Sequence, residues 1–442
     1  MKKILIIEDD KVTANIYCNK FRVEGFEVEL ALDGMDGLRA VGTFKPDLVV
    51  TDLMMPKMNG IELIKTLRAN SATAGLPVIV FTNSFLSTMI QDAWKAGATK
   101  CLTKTNCTPK QFIDVINGVF AAQDAGPGAA VPAPNGLAAH YQAPNSSSGN
   151  TNRFAHPAGG FVQAPSPEIA TPAPDLGTQL MSLNTGFFQG ENGTSDVLVQ
   201  ALLRKQFFDN APKEISSIRQ TTTNLSRPDE LGNRPQVMLE LARRIKTLAN
   251  TAGLLAFHPL STMSSAMEAF ARELANSPAH LNSSSLRTMA QGVDMLPMLL
   301  EQAKHVETST VFSPSILIVD DEPISRRAVT QALSRAELRA IQLADPTMAL
   351  TVLALNPFDL IFLDVDMPEL DGYDLCSKVR ALPGHSKTAV IFVTSSSDFA
   401  SRARATLSGG SDFISKPFLF MEVTVKALVH CFRNQGQVLQ AA

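Results

Sequence analysis

The chain has 442 residues, with 39 basic against 42 acidic side chains and a formal net charge of −3. That balance marks no general nucleic-acid binder, and the length predicts about two to four domains. Cys18, Cys101, Cys107, Cys376 and Cys431 are scattered, odd in number and without C-x-x-C spacing, so they read as reduced thiols, not disulfides or zinc ligands. Met1-Lys2-Lys3 before an apolar run hints at a signal peptide. Glu8-Asp9-Asp10 ends that run too soon, and no later stretch is long enough to span a bilayer, which places the protein in the cytoplasm.

In chain order, the apolar run Ile4-Leu5-Ile6-Ile7 ends in Glu8 and Asp9. A helix is expected from Val12 to Val23, a strand after Gly25-Phe26, and a helix from Met35 to Thr43. Lys45-Pro46-Asp47 then turns the chain into Leu48-Val49-Val50, whose consecutive apolar positions predict a strand of a parallel sheet covered on both faces. It delivers Asp52 into a loop where Pro56 and Gly60 suit a chain that must turn at once. Helices over Ile61 to Ala69 and Met89 to Ala96 flank Val78-Ile79-Val80-Phe81, which ends at Thr82. Cys101-Leu102 leads to Lys104, and a helix over Pro109 to Phe120 has Thr108 as its expected cap.

From 122 to 193 the composition shifts to Ala, Pro, Gly, Ser and Asn, with prolines from Pro127 to Pro174, predicting a disordered linker. His140, Tyr141, Phe154, His156 and Phe161 read there as isolated residues of a tether or as a docking motif. From 194 to 308 the period becomes helical. The candidates are Asp196 to Asp209, Pro212 to Leu225, Pro235 to Leu255, Leu260 to Leu274 and Ser284 to Lys304. Val237, Leu241, Ile245, Leu248 and Leu255 give the third a buried stripe, and the set predicts an all-α four-helix bundle, alone or with a short N-terminal helix added.

Beyond Ser313-Pro314 the first pattern returns. Asp321, Asp364, Pro368, Gly372, Thr394 and Lys416 each lie 312 residues after Asp9, Asp52, Pro56, Gly60, Thr82 and Lys104, behind equivalent apolar runs. Helices are expected near Ile324 to Arg335, Thr347 to Leu355, Tyr373 to Leu382, Ala400 to Gly409 and Leu419 to Phe432. Such strands alternating with helices predict a doubly wound α/β sheet at each end of the chain, with the polar residues converging at the carboxyl ends of the strands. Solvated loop acids alone do not explain two full sets at one spacing.

Both copies resemble receiver domains of two-component response regulators, over residues 1–121 and 314–435. The motifs are an acidic pair after the first strand, Asp-x-x-x-Pro-x-x-x-Gly, a Thr after the fourth strand and a Lys after the fifth. The resemblance implies flavodoxin-like (βα)5 folds. The chemistry also follows from the residues. Glu8, Asp9 and Asp52 would offer Mg²⁺ hard oxygens, as would Asp320, Asp321 and Asp364. Asp52 and Asp364 would be the nucleophiles that become phosphorylated. Lys104 and Lys416 supply charge, Thr82 and Thr394 a hydroxyl. The first copy departs from the family at Asn83, Cys101 and Thr105. The second carries Ser395, Lys416-Pro417 and the aromatic Phe413, which the resemblance implies is a switch residue. Asp364 is therefore expected to drive a conventional switch, and Asp52 to have altered kinetics or a different readout.

The segment Arg243 to Leu255 resembles the active helix of histidine phosphotransfer (HPt) domains, but Lys246 stands at the phosphorylated His, Ala249 at the usual Lys and Asn250 at the usual Gly. An ammonium has no lone pair for a phosphoryl group. The bundle is expected to dock partners or dimerise, with Arg243, Arg244 and Lys246 on an exposed basic face; the bland reading is a solvated face. His258, His280 and His305 read as surface residues. No DNA-binding, cyclase or kinase domain is recognised. The expectation is a phosphorelay regulator, served by a histidine kinase or HPt phosphodonor and read by other signalling proteins. It would be no enzyme beyond its own phosphorylation and slow dephosphorylation, with neither nucleic acid nor membrane as partner. The alternatives are an unphosphorylated interaction scaffold, or a phosphate sink or phosphatase for another regulator.

Overall fold

The computed structural model describes residues 1–82, 87–104, 107, 109–124, 194–225, 233–305, 312–395 and 404–441. The expectations for Asn83, Thr105, the Thr108 cap and residues 125–193, with their His and aromatic residues, lie outside the described residues.

In the N-terminal unit, β1 (Lys3–Ile7), α1 (Lys11–Val23), β2 (Glu27–Ala31), α2 (Gly34–Phe44) and β3 (Leu48–Thr51) alternate. They are followed by α3 (Gly60–Ala69), β4 (Val78–Thr82), α4 (Ser87–Ala96), β5 (Lys100–Thr103) and α5 (Pro109–Asp124). The strands are parallel in the order β2-β1-β3-β4-β5. Alternate residues of β1 serve opposite layers. Ile4 and Ile6 pack with Tyr17, Phe21 and Phe112, whereas Leu5 and Ile7 pack with Leu63, Ile64 and Ile90. Burial on both faces is why the run is apolar at every position.

The central region is all-α: α6 (Thr194–Asn224), α7 (Arg234–Leu254), α8 (His258–Asn276) and α9 (Ser283–His305). Two helices were expected where α6 runs unbroken through Pro212. Proline forfeits one backbone hydrogen bond. Phe207 and Ala211 before it, and Ile215 and Ile218 after it, are all buried in one core, so packing holds both halves in one helix.

The C-terminal unit has β6 (Ile316–Val319), α10 (Pro323–Ser334), β7 (Ala340–Leu343), α11 (Pro346–Leu355), β8 (Leu360–Asp364) and α12 (Gly372–Ala381). After these come β9 (Ala389–Thr394), β10 (Asp412–Ser415) and α13 (Phe420–Ala441), which continues nine residues past the expected end at Phe432. The helix expected over Ala400 to Gly409 is described only at 404–407. The sheet order β7-β6-β8-β9-β10 repeats the first. Helix α13 packs against both α8 and α9. It joins the helical core and one face of this sheet into one apolar cluster running from Phe207 to Phe432.

The loop after each central strand is built alike. Lys57 and Glu369 sit at φ of 64° and 66°, in the left-handed region that non-glycine residues seldom adopt. Gly60 and Gly372 answer a different need: a Cβ there would lie 2.3 Å from the Asp52 carbonyl oxygen and 2.1 Å from that of Asp364. Gly372→Ala is therefore expected to destabilise the protein by about 1–3 kcal/mol and to displace Asp364. Chemical denaturation, with phosphorylation of Asp364 measured in parallel, checks both effects.

Candidate functional site

At the carboxyl edge of the first sheet, Glu8, Asp52, Thr82 and Lys104 are all buried. Lys104 Nζ donates to Glu8 Oε2 at 2.6 Å and to Asp52 Oδ2 at 2.9 Å. Asp52 Oδ1 accepts from the backbone N–H groups of Leu53 at 2.6 Å and Met54 at 3.3 Å. The Thr82 hydroxyl is buried with no hydrogen-bond partner among the described residues.

A second ammonium enters this pocket from α7. Lys246 Nζ donates to Asp9 Oδ1 at 2.7 Å, Asp52 Oδ2 at 2.8 Å and the Met54 carbonyl at 3.2 Å, with Glu8 Oε1 at 3.8 Å. Asn250, one turn on, donates from Nδ2 to Asp10 Oδ2 at 2.9 Å. Leu254 packs against the Tyr17–Phe112 core of the N-terminal unit. Lys246 was expected on an exposed basic face, but it is only 3% exposed. Arg243 stays in solvent, paired with Glu240, and Arg244 is half-buried. The reason lies in the all-round burial of Leu248 to Gly253. One side of α7 faces its own helical core, and the opposite side, with Lys246, Asn250 and Gly253, is covered by the N-terminal unit.

Charge balance follows from the two ammoniums. Burial raises the Asp52 carboxyl, but Lys104 and Lys246 overcome it and hold the group far below the usual carboxylate range. Burial likewise works against charge on Lys246, and Asp52, Glu8 and Asp9 more than reverse it, so it stays protonated. Glu8 is pushed up from 4.5 to about 7, by burial first and by Asp52 and Asp9, against the pull of Lys104 and Lys246. Because its folded value exceeds its unfolded one, the folded state holds an extra proton between these values, and stability falls as pH rises through that window. Glu8→Gln is expected to flatten a slope of at most about 1.4 kcal/mol per pH unit, seen in urea unfolding between about pH 5 and 7. Asp52 acts in the other direction and only in stronger acid, so the two effects separate.

The second pocket is open to a different degree. Lys416 Nζ donates to Asp364 Oδ1 at 3.1 Å and to Asp320 Oδ2 at 3.4 Å, and its side chain is 18% exposed against 3% for Lys104. Asp320 is held by the Ser325 hydroxyl at 2.5 Å and the Glu322 N–H at 2.9 Å. Asp364 Oδ1 accepts from the Val365 N–H at 2.9 Å. Among the described residues these partners all belong to the C-terminal unit. Here burial and the Asp320 carboxylate outweigh Lys416 and raise Asp364, the opposite of Asp52. Thr394 is buried and Phe413 half-buried beside the pocket.

Each pocket sets three carboxylates within 4.8 Å of one another, Glu8 with Asp9 and Asp52, and Asp320 with Asp321 and Asp364. Hard oxygens of this kind fit Mg²⁺. In the second pocket the set stands ready for it. In the first, Lys246 Nζ lies among the same oxygens. The residues read at the strand ends, Glu8, Asp9, Asp52, Thr82 and Lys104, and Asp320, Asp321, Asp364, Thr394 and Lys416, lie together at the carboxyl edges of the two sheets. Sequence reasoning missed Asn250 and Ser325 as pocket partners, and found Lys246 without its destination. The signal available was a lysine at the centre of a docking-helix pattern, in a chain with an acidic pocket in need of cations.

Two parallel sheets of one order, each ending in a carboxylate cluster with a lysine and a buried threonine, define a pair of α/β units of one fold. The family described as the response regulator receiver domain matches residues 4–117 and 316–428, just over half of the chain. The chain belongs to that family, whose domains imply phosphorelay signalling. It is 32% identical over 123 residues to the DNA-binding response regulator MtrA of Mycolicibacterium paratuberculosis, covering 28% of this chain and 53% of that one. Over 107 residues it is 35% identical to the DNA-binding dual master transcriptional regulator RpaA of Synechocystis, covering 24% and 43%. The chain thus spans about half the length of the curated relatives it matches. Among solved structures it is similar to the chemotaxis response regulator CheY4 of Vibrio cholerae, at 24% identity and a TM-score of 0.25, covering 26% of this chain and 98% of that one. A receiver domain of a Syntrophus aciditrophicus signal transduction histidine kinase has 33% identity and a TM-score of 0.25, covering 26% and 90%. No helix among the described residues is long and apolar enough to cross a membrane.

Proposed function

We propose that this protein is a phosphorelay regulator whose working phosphoryl acceptor is Asp364. The observation that carries this is the contrast between the pockets: among the described residues the carboxylates around Asp364 are held by their own receiver, whereas Asp52 is engaged by Lys246. A carboxylate oxygen of Asp364 attacks phosphorus, the N–P bond of a partner's phosphohistidine breaks, and the imidazole leaves with the electron pair. Lys416 brings positive charge to the phosphoryl oxygens, Thr394 a hydroxyl, and Phe413 reports the change to the neighbouring surface. Mg²⁺, held by Asp320, Asp321 and Asp364, would supply further charge neutralisation. Water later cleaves the acyl phosphate, releasing inorganic phosphate.

The central helices fit an HPt-like four-helix bundle that has kept the docking face and lost the phosphorylated His, with Lys246 in its place. The partners are a histidine kinase or HPt phosphodonor, and other signalling proteins that read the result. For the N-terminal half the scaffold reading has its own support, since the Asp52 pocket binds a helix of the same chain.

Phosphate-affinity gels after treatment with acetyl phosphate and Mg²⁺ test the reading. One shifted species is expected, retained in Asp52→Asn and lost in Asp364→Asn. A shift that survives Asp364→Asn overturns the assignment of the acceptor. No shift with acetyl phosphate or with a phosphohistidine donor leaves the scaffold reading in its place.

A further inference from the structure

Among the described residues, the first pocket sets two ammoniums on three carboxylates, a formal balance of −1, whereas Asp320, Asp321 and Asp364 with Lys416 leave −2. Lys246 Nζ touches Asp9, Asp52 and the Met54 carbonyl and nears Glu8, so it meets the oxygens of the carboxylate cluster and a backbone oxygen beside them. A small, hard cation would ask for the same oxygens.

The side chain is also guided there. Asn250 anchors the next turn of α7 on Asp10. Gly253 lets the helix approach so closely that a Cβ would stand 3.0 Å from the Lys104 carbonyl oxygen. Lys246, Asn250 and Gly253 form one stripe at helical spacing. Lys246 and Asn250 are themselves buried and make directed polar contacts with the acidic loop, which is the character of a built binding site, not of a chance surface ion pair.

We infer that Lys246 is a resident cation of the Asp52 pocket: it takes the place of a divalent metal, so that docking of α7 and metal binding at Asp52 exclude each other. The ligand of the first receiver is thus a lysine of the same chain. Acceptance of a phosphoryl group at Asp52 requires α7 to withdraw. This rests on reading the carboxylate clusters as metal sites, but not on phosphorylation at Asp364.

Counting bound Mn²⁺ by electron paramagnetic resonance on the full chain tests it, because Mn²⁺ is a spectroscopic stand-in for Mg²⁺ and no activity is needed. Wild type is expected to bind about one Mn²⁺ per chain, lost in Asp364→Asn and unchanged in Asp52→Asn. Lys246→Met is expected to bind about two, the added one disappearing when Asp52→Asn is combined with it. Asn250→Asp, an isosteric change that sets a carboxylate against Asp10, is expected to give partial occupancy of the added site. A wild type that binds two, one of them removed by Asp52→Asn, overturns the inference. So does a folded Lys246→Met that still binds only one. Should Lys246→Met fail to fold, the response of wild type to Asp52→Asn decides alone. Absence of phosphorylation at Asp364 would refute the proposed acceptor without touching this count.

Discussion

Asp52→Ala is expected to lower the unfolding free energy of the metal-free protein by about 3–5 kcal/mol, whereas Asp364→Ala leaves it nearly unchanged. The two aspartates hold the same place in the same fold, so composition predicts no difference. The difference comes from what they neutralise. Asp52 Oδ2 accepts from both Lys104 and Lys246, each nearly solvent-free. Removing it leaves two buried ammoniums facing one another with only Glu8 and Asp9 between them. Asp364 meets one lysine that is partly in water, and its own charge is opposed by Asp320. Urea unfolding in the presence of a chelator reads both values. Equal losses would show that the insertion of Lys246 contributes nothing to stability.

Lys246→Glu is expected to undock the N-terminal receiver altogether. A fourth carboxylate would then face Glu8, Asp9 and Asp52, and buried like charges at this range cost several kcal/mol. The remaining connection is the stretch from 125 to 193, so small-angle X-ray scattering should record a larger radius of gyration. Arg243→Glu, one turn away on the solvent side of α7, is expected to leave the radius as it is. An unchanged radius in Lys246→Glu would place the attachment in the apolar contact of Leu254, not in the pocket.

The sheets and both pockets were legible in the sequence because their signals are local. An apolar run such as Ile4 to Ile7 announces a strand covered twice, and the polar residue that ends it announces the rim. The 312-residue repeat then fixed the correspondence of Asp52 with Asp364. The fate of Lys246 was not legible in the same way. Periodicity tells which residues of α7 share a face, but not which body covers that face, and a lysine on a polar stripe ordinarily stays in water. The continuity of α6 through Pro212 was hidden for a related reason, since local propensity breaks a helix there and only the core around Phe207 and Ile215 keeps it whole. Both aspartates are buried, and the engagement of Asp52 by a second lysine likewise depends on the third body, not on either motif.

The position of Lys246 along the chain has a consequence for synthesis. The N-terminal receiver is complete in sequence at Asp124, more than a hundred residues before Lys246. At ordinary elongation rates the ribosome needs about 6–25 s to cover that interval. For that time the newborn receiver holds its carboxylates without their lysine, open to whatever divalent ion the surroundings offer. On the exclusion inferred above, the helix that closes the pocket would have to displace any ion seated there, and the ionic conditions at birth would then set how fast each molecule reaches its finished form.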